Sequence, residues 1–171
     1  MVTQLNEAQT KAVRSIGFAS FLKVDQKQIP GNLDTNSATF LLLDGQRFVV
    51  TAFDAYVTLG VLIGGREIME SSRSLTDEEY DEVHAAWVKE WKIENTALKL
   101  TPCQSSFWPK KDSGERFRRN FTIYLVNYFF SGPKNRYCSK SILKYVKDVN
   151  QIASLDWCKF VVQKLISSVR N

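Results

Sequence analysis

The sequence predicts one mainly helical domain over residues 1–171, a compact helical bundle with one small β-hairpin. Three observations predict it. Apolar side chains recur at helical spacing in several windows, capping residues stand where those windows begin, and one Asp-Gly pair separates two short β-type runs. The 171 residues are 44% hydrophobic and 24% charged, with 8 Gly and 4 Pro, which is globular composition. A chain of this length can build one core without metals or disulfides.

In chain order, Leu5, Ala8, Ala12 and Ile16 fall at helical spacing, with Thr3 ahead as a cap and Gly17 behind as a stop. Phe18, Phe21 and Leu22 continue the apolar face into a short second turn. Ile29-Pro30-Gly31-Asn32 breaks regular structure. Residues 40–43 and 47–50 are β-type runs joined through Asp44-Gly45, whose residues tolerate the positive φ angles of a tight hairpin. Thr51 is placed to cap a helix through Ala52, Tyr56 and Leu59 that stops at Gly60. Thr76 and Glu79 form a capping box, followed by Tyr80, Val83, Trp87 and Trp91 on one helical stripe. Residues 96–114 read as an irregular connection. Residues 117–130 are apolar nearly all round, which predicts a central helix with Arg116, Arg118 and Arg119 at its wet end. Ser139 and Asp156 are placed to cap two further helices, the last carrying Trp157, Val161, Leu165 and Val169.

Charge is distributed unevenly. Lys and Arg number 23 against 18 Asp and Glu, net +5, yet residues 1–98 sum to −5 and residues 99–171 to +10. Such a field steers acidic partners toward the C-terminal half. The three cysteines, Cys103, Cys138 and Cys158, lack the paired spacing of a zinc or dithiol centre, and a sparse, odd count fits reduced thiols in an intracellular setting, nuclear or cytoplasmic. No apolar run is long enough to span a bilayer, so no membrane is expected. Lys11 and Arg14 on an amphipathic stretch are features of organelle presequences, whereas Glu7 and the scarcity of Arg and Ser weigh against one.

No reaction centre stands out, and neither an enzyme nor a cofactor is expected. His84 is the one histidine, beside an aromatic stripe, and a Cys-His dyad would need a cysteine brought to it in space. The acidic run 77–82 opens a helix, where such carboxylates are normally solvated. Gly60, Gly64 and Gly65 match neither the dinucleotide fingerprint nor the P-loop. The basic residues form two groups: Lys110, Lys111, Arg116, Arg118 and Arg119, then Lys134, Arg136, Lys140, Lys144 and Lys147 with Tyr137 and Tyr145 interleaved. Cations displace counterions from phosphates and aromatic rings stack on unpaired bases, so sequence-nonspecific binding of single-stranded nucleic acid is the alternative to a protein-docking face.

Several blocks, taken in order, resemble a plant-specific domain family that accompanies SUMO-protease-like and transposon-derived proteins and is related in pattern to the plant mobile domain. They are residues 12–18 with Phe21-Leu22, Gln28-Ile29-Pro30, residues 33–37, residues 48–51 followed by residues 60–66, and late in the chain residues 121–130 and 155–161. The sequence departs from that pattern between Pro30 and Asp34, where a helix with a Trp-Leu pair is missing, and at Leu62, where proline is favoured. The resemblance implies a helical adaptor domain without catalytic residues, and the missing helix implies an apolar patch covered by a partner or by dimerisation.

The function expected is that of a non-enzymatic protein-interaction module of a plant transposon-derived or genome-conflict type protein, binding another protein or a copy of itself. Its apolar contact is expected near the Pro30 gap and the helix bearing Tyr80, His84, Trp87 and Trp91. Lys134, Arg136, Lys140, Lys144 and Lys147 are expected to steer acidic partners.

Overall fold

The computed structural model describes residues 5–23, 32–34, 39–41, 46–69, 82, 84–89, 112–127 and 140–169. Among them α1 (Glu7–Ser15) is followed by a 3-10 turn (Ala19–Lys23), strands β1 (Asn32–Asp34), β2 (Thr39–Leu41) and β3 (Arg47–Val49), and α2 (Ala52–Leu59). Helical residues 84–89 come next, then α3 (Glu115–Leu125), 3-10 segments at Lys140–Tyr145 and Val149–Ser154, and α4 (Trp157–Val169). The protein is mainly helical, as its sequence predicts.

The start of α1 differs in detail from expectation. Its cap is Asn6, whose side chain accepts from the Gln9 N–H at 2.8 Å while Gln9 Oε1 accepts from the Asn6 N–H at 3.1 Å. This capping box satisfies two groups that a helix start leaves open. The buried face is Gln9, Ala12, Val13 and Ile16, with Ala8 left exposed. Val13 takes more apolar area inward than Ala8 would, and Gln9 enters with it by donating Nε2 to the Asp112 carbonyl at 3.2 Å. Thr3 lies outside the described residues.

The expected hairpin pairs β2 with β3 in the register Thr39↔Val49, Phe40↔Phe48 and Leu41↔Arg47. A third antiparallel strand extends it, with Leu33 opposite Phe40, so Asn32 begins β1 rather than ending a break. The Asp44-Gly45 turn and Ile29-Pro30-Gly31 lie outside the described residues.

α3 is the centre of the core. Residues 120–127 are buried without exception. Two of its buried polar side chains bond locally: Thr122 donates to the Arg118 carbonyl at 2.8 Å and Asn127 Nδ2 to the Ile123 carbonyl at 2.7 Å. Phe117 stacks on Phe121 with ring centroids 5.7 Å apart. Arg119, expected at the wet end, is instead half-buried and structural, since its guanidinium donates to the carbonyls of Val146 and Lys147 at 3.1 and 2.9 Å. The carbonyls that end the 3-10 segment need donors, and Arg119 supplies them.

The second aromatic centre is Trp157 at the head of α4. Phe18 meets it edge-on at 4.9 Å, and its Nε1 donates to the Ile152 carbonyl at 2.7 Å. Asp156 caps α4 as the sequence predicts, its carboxylate accepting from the Lys159 N–H at 3.0 Å.

Main-chain hydrogen bonds join the segment after α2 to this helix start. Arg66 donates to Ser154 and accepts from Asp156, at 3.0 and 2.9 Å, and the Cys158 N–H reaches the Leu62 carbonyl at 3.3 Å. Gly65 permits the approach: its φ is +100°, and a Cβ there would strike the Ser154 carbonyl oxygen. Glu67 and Lys159 add an exposed ion pair at 2.8 Å.

Candidate functional site

α2 is apolar on both of its faces, and only one is covered. Thr51 caps it by accepting from the Asp54 N–H at 3.3 Å, and the Asp54 carboxylate accepts from the Thr51 N–H at 2.8 Å. The Thr51 hydroxyl, which donates to the same carboxylate at 2.6 Å, and the Thr51 N–H hold the Asp54 carboxyl below its ordinary range, so it is ionised at neutral pH. Gly60, at φ +59°, turns the chain out of the helix. With its ends fixed, α2 turns Ala52, Ala55 and Leu59 inward.

The outward face carries the larger side chains. Phe53 is 62% exposed and Val57 65%, with Tyr56 on the same face, its ring 6.2 Å from that of Phe53. The preceding strand adds Phe48 at 48% and Val49 at 54%, and the following loop adds Leu62 and Ile63, both exposed. All three residues of β3 are exposed, so neither side of the sheet is covered at that strand. A helix apolar all round is normally buried. Large exposed apolar surfaces mark interaction sites.

The expected contact residues are distributed otherwise. Trp87 is 4% exposed and belongs to the core, so it is no docking surface, because its place on the helical stripe turns the ring inward. His84 is half-buried one turn earlier. Tyr80, Trp91, Lys134, Arg136, Pro30 and Gly31 lie outside the described residues, and the rest of the Pro30 gap, Asn32 and Leu33, belongs to β1. The uncovered face on β3 and α2 was not anticipated, although the run Ala52-Phe53, Ala55-Tyr56-Val57, Leu59 signals it by being apolar at positions that cannot all face one way.

The second basic group is less of a single surface than its spacing implies. Residues 140–145 form a 3-10 helix, which advances about 120° per residue, so positions 140 and 144 sit a third of a turn apart. In an α-helix they would share a face. Lys147 follows in a bend and is exposed. The Tyr145 ring carries Lys144 Nζ at 4.9 Å and the Arg66 guanidinium at 5.8 Å. Its hydroxyl accepts from the Met69 N–H and donates to the Met69 carbonyl.

Cys158 is fully buried, and its Sγ donates to the Val61 carbonyl at 3.3 Å. Burial, with the nearby Asp156 charge, pushes the thiol up to about 11. A thiol held protonated is a poor nucleophile at neutral pH. Cys103 and Cys138 lie outside the described residues. Among the described residues no His, Cys, Asp and Glu side chains gather as a metal site, and no helix is long and apolar enough to cross a membrane.

These features define a small, mainly helical domain with a three-stranded antiparallel sheet and an uncovered apolar face at the sheet's β3 side. The chain belongs to the family described as Domain of unknown function (DUF8566), whose model matches residues 1–171. No curated protein and no solved structure matches it.

Proposed function

We propose that this chain is a non-enzymatic protein-interaction module, an adaptor of the kind associated with transposon-derived or genome-conflict proteins of plants, acting inside the cell by binding a partner protein or a copy of itself. The observation that carries this reading is the outward face of α2. Phe53, Tyr56 and Val57 stand in solvent on a helix whose capping is complete, so the exposure is no consequence of a frayed end. The plant association rests on the ordered sequence blocks described above.

Binding of single-stranded nucleic acid draws less support. The Tyr145 ring is already occupied by cations and its hydroxyl is engaged, which leaves it poorly placed to stack on a base.

The test is affinity capture from plant extract with the wild-type chain and with Phe53→Asp, paired with oligonucleotide binding across a salt series. The docking reading expects proteins retained by the wild type and lost with Phe53→Asp. Identical protein sets would overturn it. A steeply salt-dependent affinity for single-stranded oligonucleotide, abolished by Lys140→Glu, Lys144→Glu and Lys147→Glu together, would replace it with the nucleic-acid function.

A further inference from the structure

We infer that the apolar face of β3 and α2 is covered by a second copy of this chain, in a two-fold dimer that buries Phe48, Phe53, Tyr56 and Val57. The inference rests on the docking reading and names its partner. Area, charge and strand geometry select a copy together.

On this one face Phe48, Phe53, Tyr56 and Val57 each show 45–65% of their surface. At roughly 150–200 Å² for a full side chain, they leave about 400 Å² uncovered. A stable interface takes about 800 Å² from each partner, somewhat over half of it apolar. One such face on each of two chains therefore supplies most of the apolar area of a stable interface.

The face also complements itself electrically. From position 48 to position 65 Asp54 is the single charged residue, and Arg47 immediately precedes the stretch. Arg47 is exposed and makes no ion pair among the described residues. A two-fold axis sets Arg47 of one copy toward Asp54 of the other, and the reverse contact follows from symmetry. Two chains of net charge +5 can then meet without opposing like charges.

Finally, β3 is an edge strand among the described residues, since the sheet order is β1-β2-β3. A two-fold axis beside a strand pairs it antiparallel with its own copy, the sense in which β3 already pairs β2. Edge strands are templates for this addition unless blocked by charge, proline or a covering element. β3 carries one charge, Arg47 at its start, while Phe48 and Val49 block nothing.

The experiment is sedimentation velocity on the full chain from about 1 to 200 μM, the range in which an interface of this size reports a micromolar constant. A concentration-dependent dimer is expected. Phe53→Asp should raise its dissociation constant at least about thirtyfold with helical content unchanged, as truncation of a central aromatic anchor does. Val57→Lys, on the same face, should act alike and guards against a folding defect in the first variant. Arg47→Glu, which sets a carboxylate against Asp54, should weaken the dimer about fivefold to tenfold. A wild-type chain monomeric throughout, or a dimer indifferent to all three variants, overturns the inference. If the wild type is monomeric yet captures a protein that Phe53→Asp does not, a foreign protein covers the face and docking stands. If Phe53→Asp changes neither self-association nor capture, both readings fall.

Discussion

α2 and α3 invert the usual relation between composition and burial. α3, ERFRRNFTIYL, has three arginines, an asparagine and a threonine, yet everything from Asn120 onward is buried. α2, AFDAYVTL, has one charge and leaves its larger apolar side chains in solvent. α3 succeeds because Thr122 and Asn127 bond to carbonyls of their own helix and Arg119 bonds to the chain that covers it. α2 meets the core mainly through alanines, which leaves its larger apolar area for a partner. Between these two helices, position in the fold decides which apolar side chains are buried, and local hydrogen bonds let Thr122 and Asn127 go in with them.

The contrast is sharpest when one phenylalanine is truncated in each helix. Phe121→Ala should cost about 3–5 kcal/mol in urea unfolding, as loss of a buried ring does. Phe53→Ala, measured on dilute monomer, should stay within about 0.5 kcal/mol. Equal losses would erase the distinction between the helices. Gly65→Ala tests how firmly the exit of α2 is held. A side chain at positive φ facing the Ser154 carbonyl should lower stability by about 1–3 kcal/mol, read as a lower melting temperature. Thr51→Ala removes the α2 cap and should cost about 1 kcal/mol by denaturant titration, sharpening the view that the exposed face sits on a well-formed helix.

A further effect concerns the alkaline limb. The native Cys158 thiol keeps its proton to about 11, whereas the unfolded thiol releases it around the ordinary 9.0. Between those values the native state binds more protons, so this contribution is full below 9.0 and falls as pH rises toward 11. Cys158→Ala should flatten that part of the stability-against-pH curve relative to wild type, in urea unfolding at matched pH values.

Much of the fold was legible because its signals are local. Thr51, Gly60 and Asp156 act on their nearest residues, and each does what its position predicts. The largely apolar run from Phe121 announced the core helix. What escaped was tertiary. Nothing near Arg119 indicates that its hydrogen-bond partners would be the carbonyls of Val146 and Lys147, and nothing near Gln9 indicates Asp112. The third strand was missed because three residues carry too little alternation to register. The candidate surface was missed for another reason. An apolar helix reads as core by default, and only the identity of its neighbours reveals that α2 spends alanines inward and aromatic rings outward.

Among the contacts that join the chain's acidic and basic halves, those of Arg66 and Leu62 with Ser154, Asp156 and Cys158 are made between peptide groups. Ions in solution screen side-chain charges but leave amide-to-carbonyl bonds inside a fold nearly untouched. Raising ionic strength will therefore mute whatever the lysine-rich end attracts while the body stays closed. A binding signal that fades with added salt reports lost attraction, not a protein coming apart.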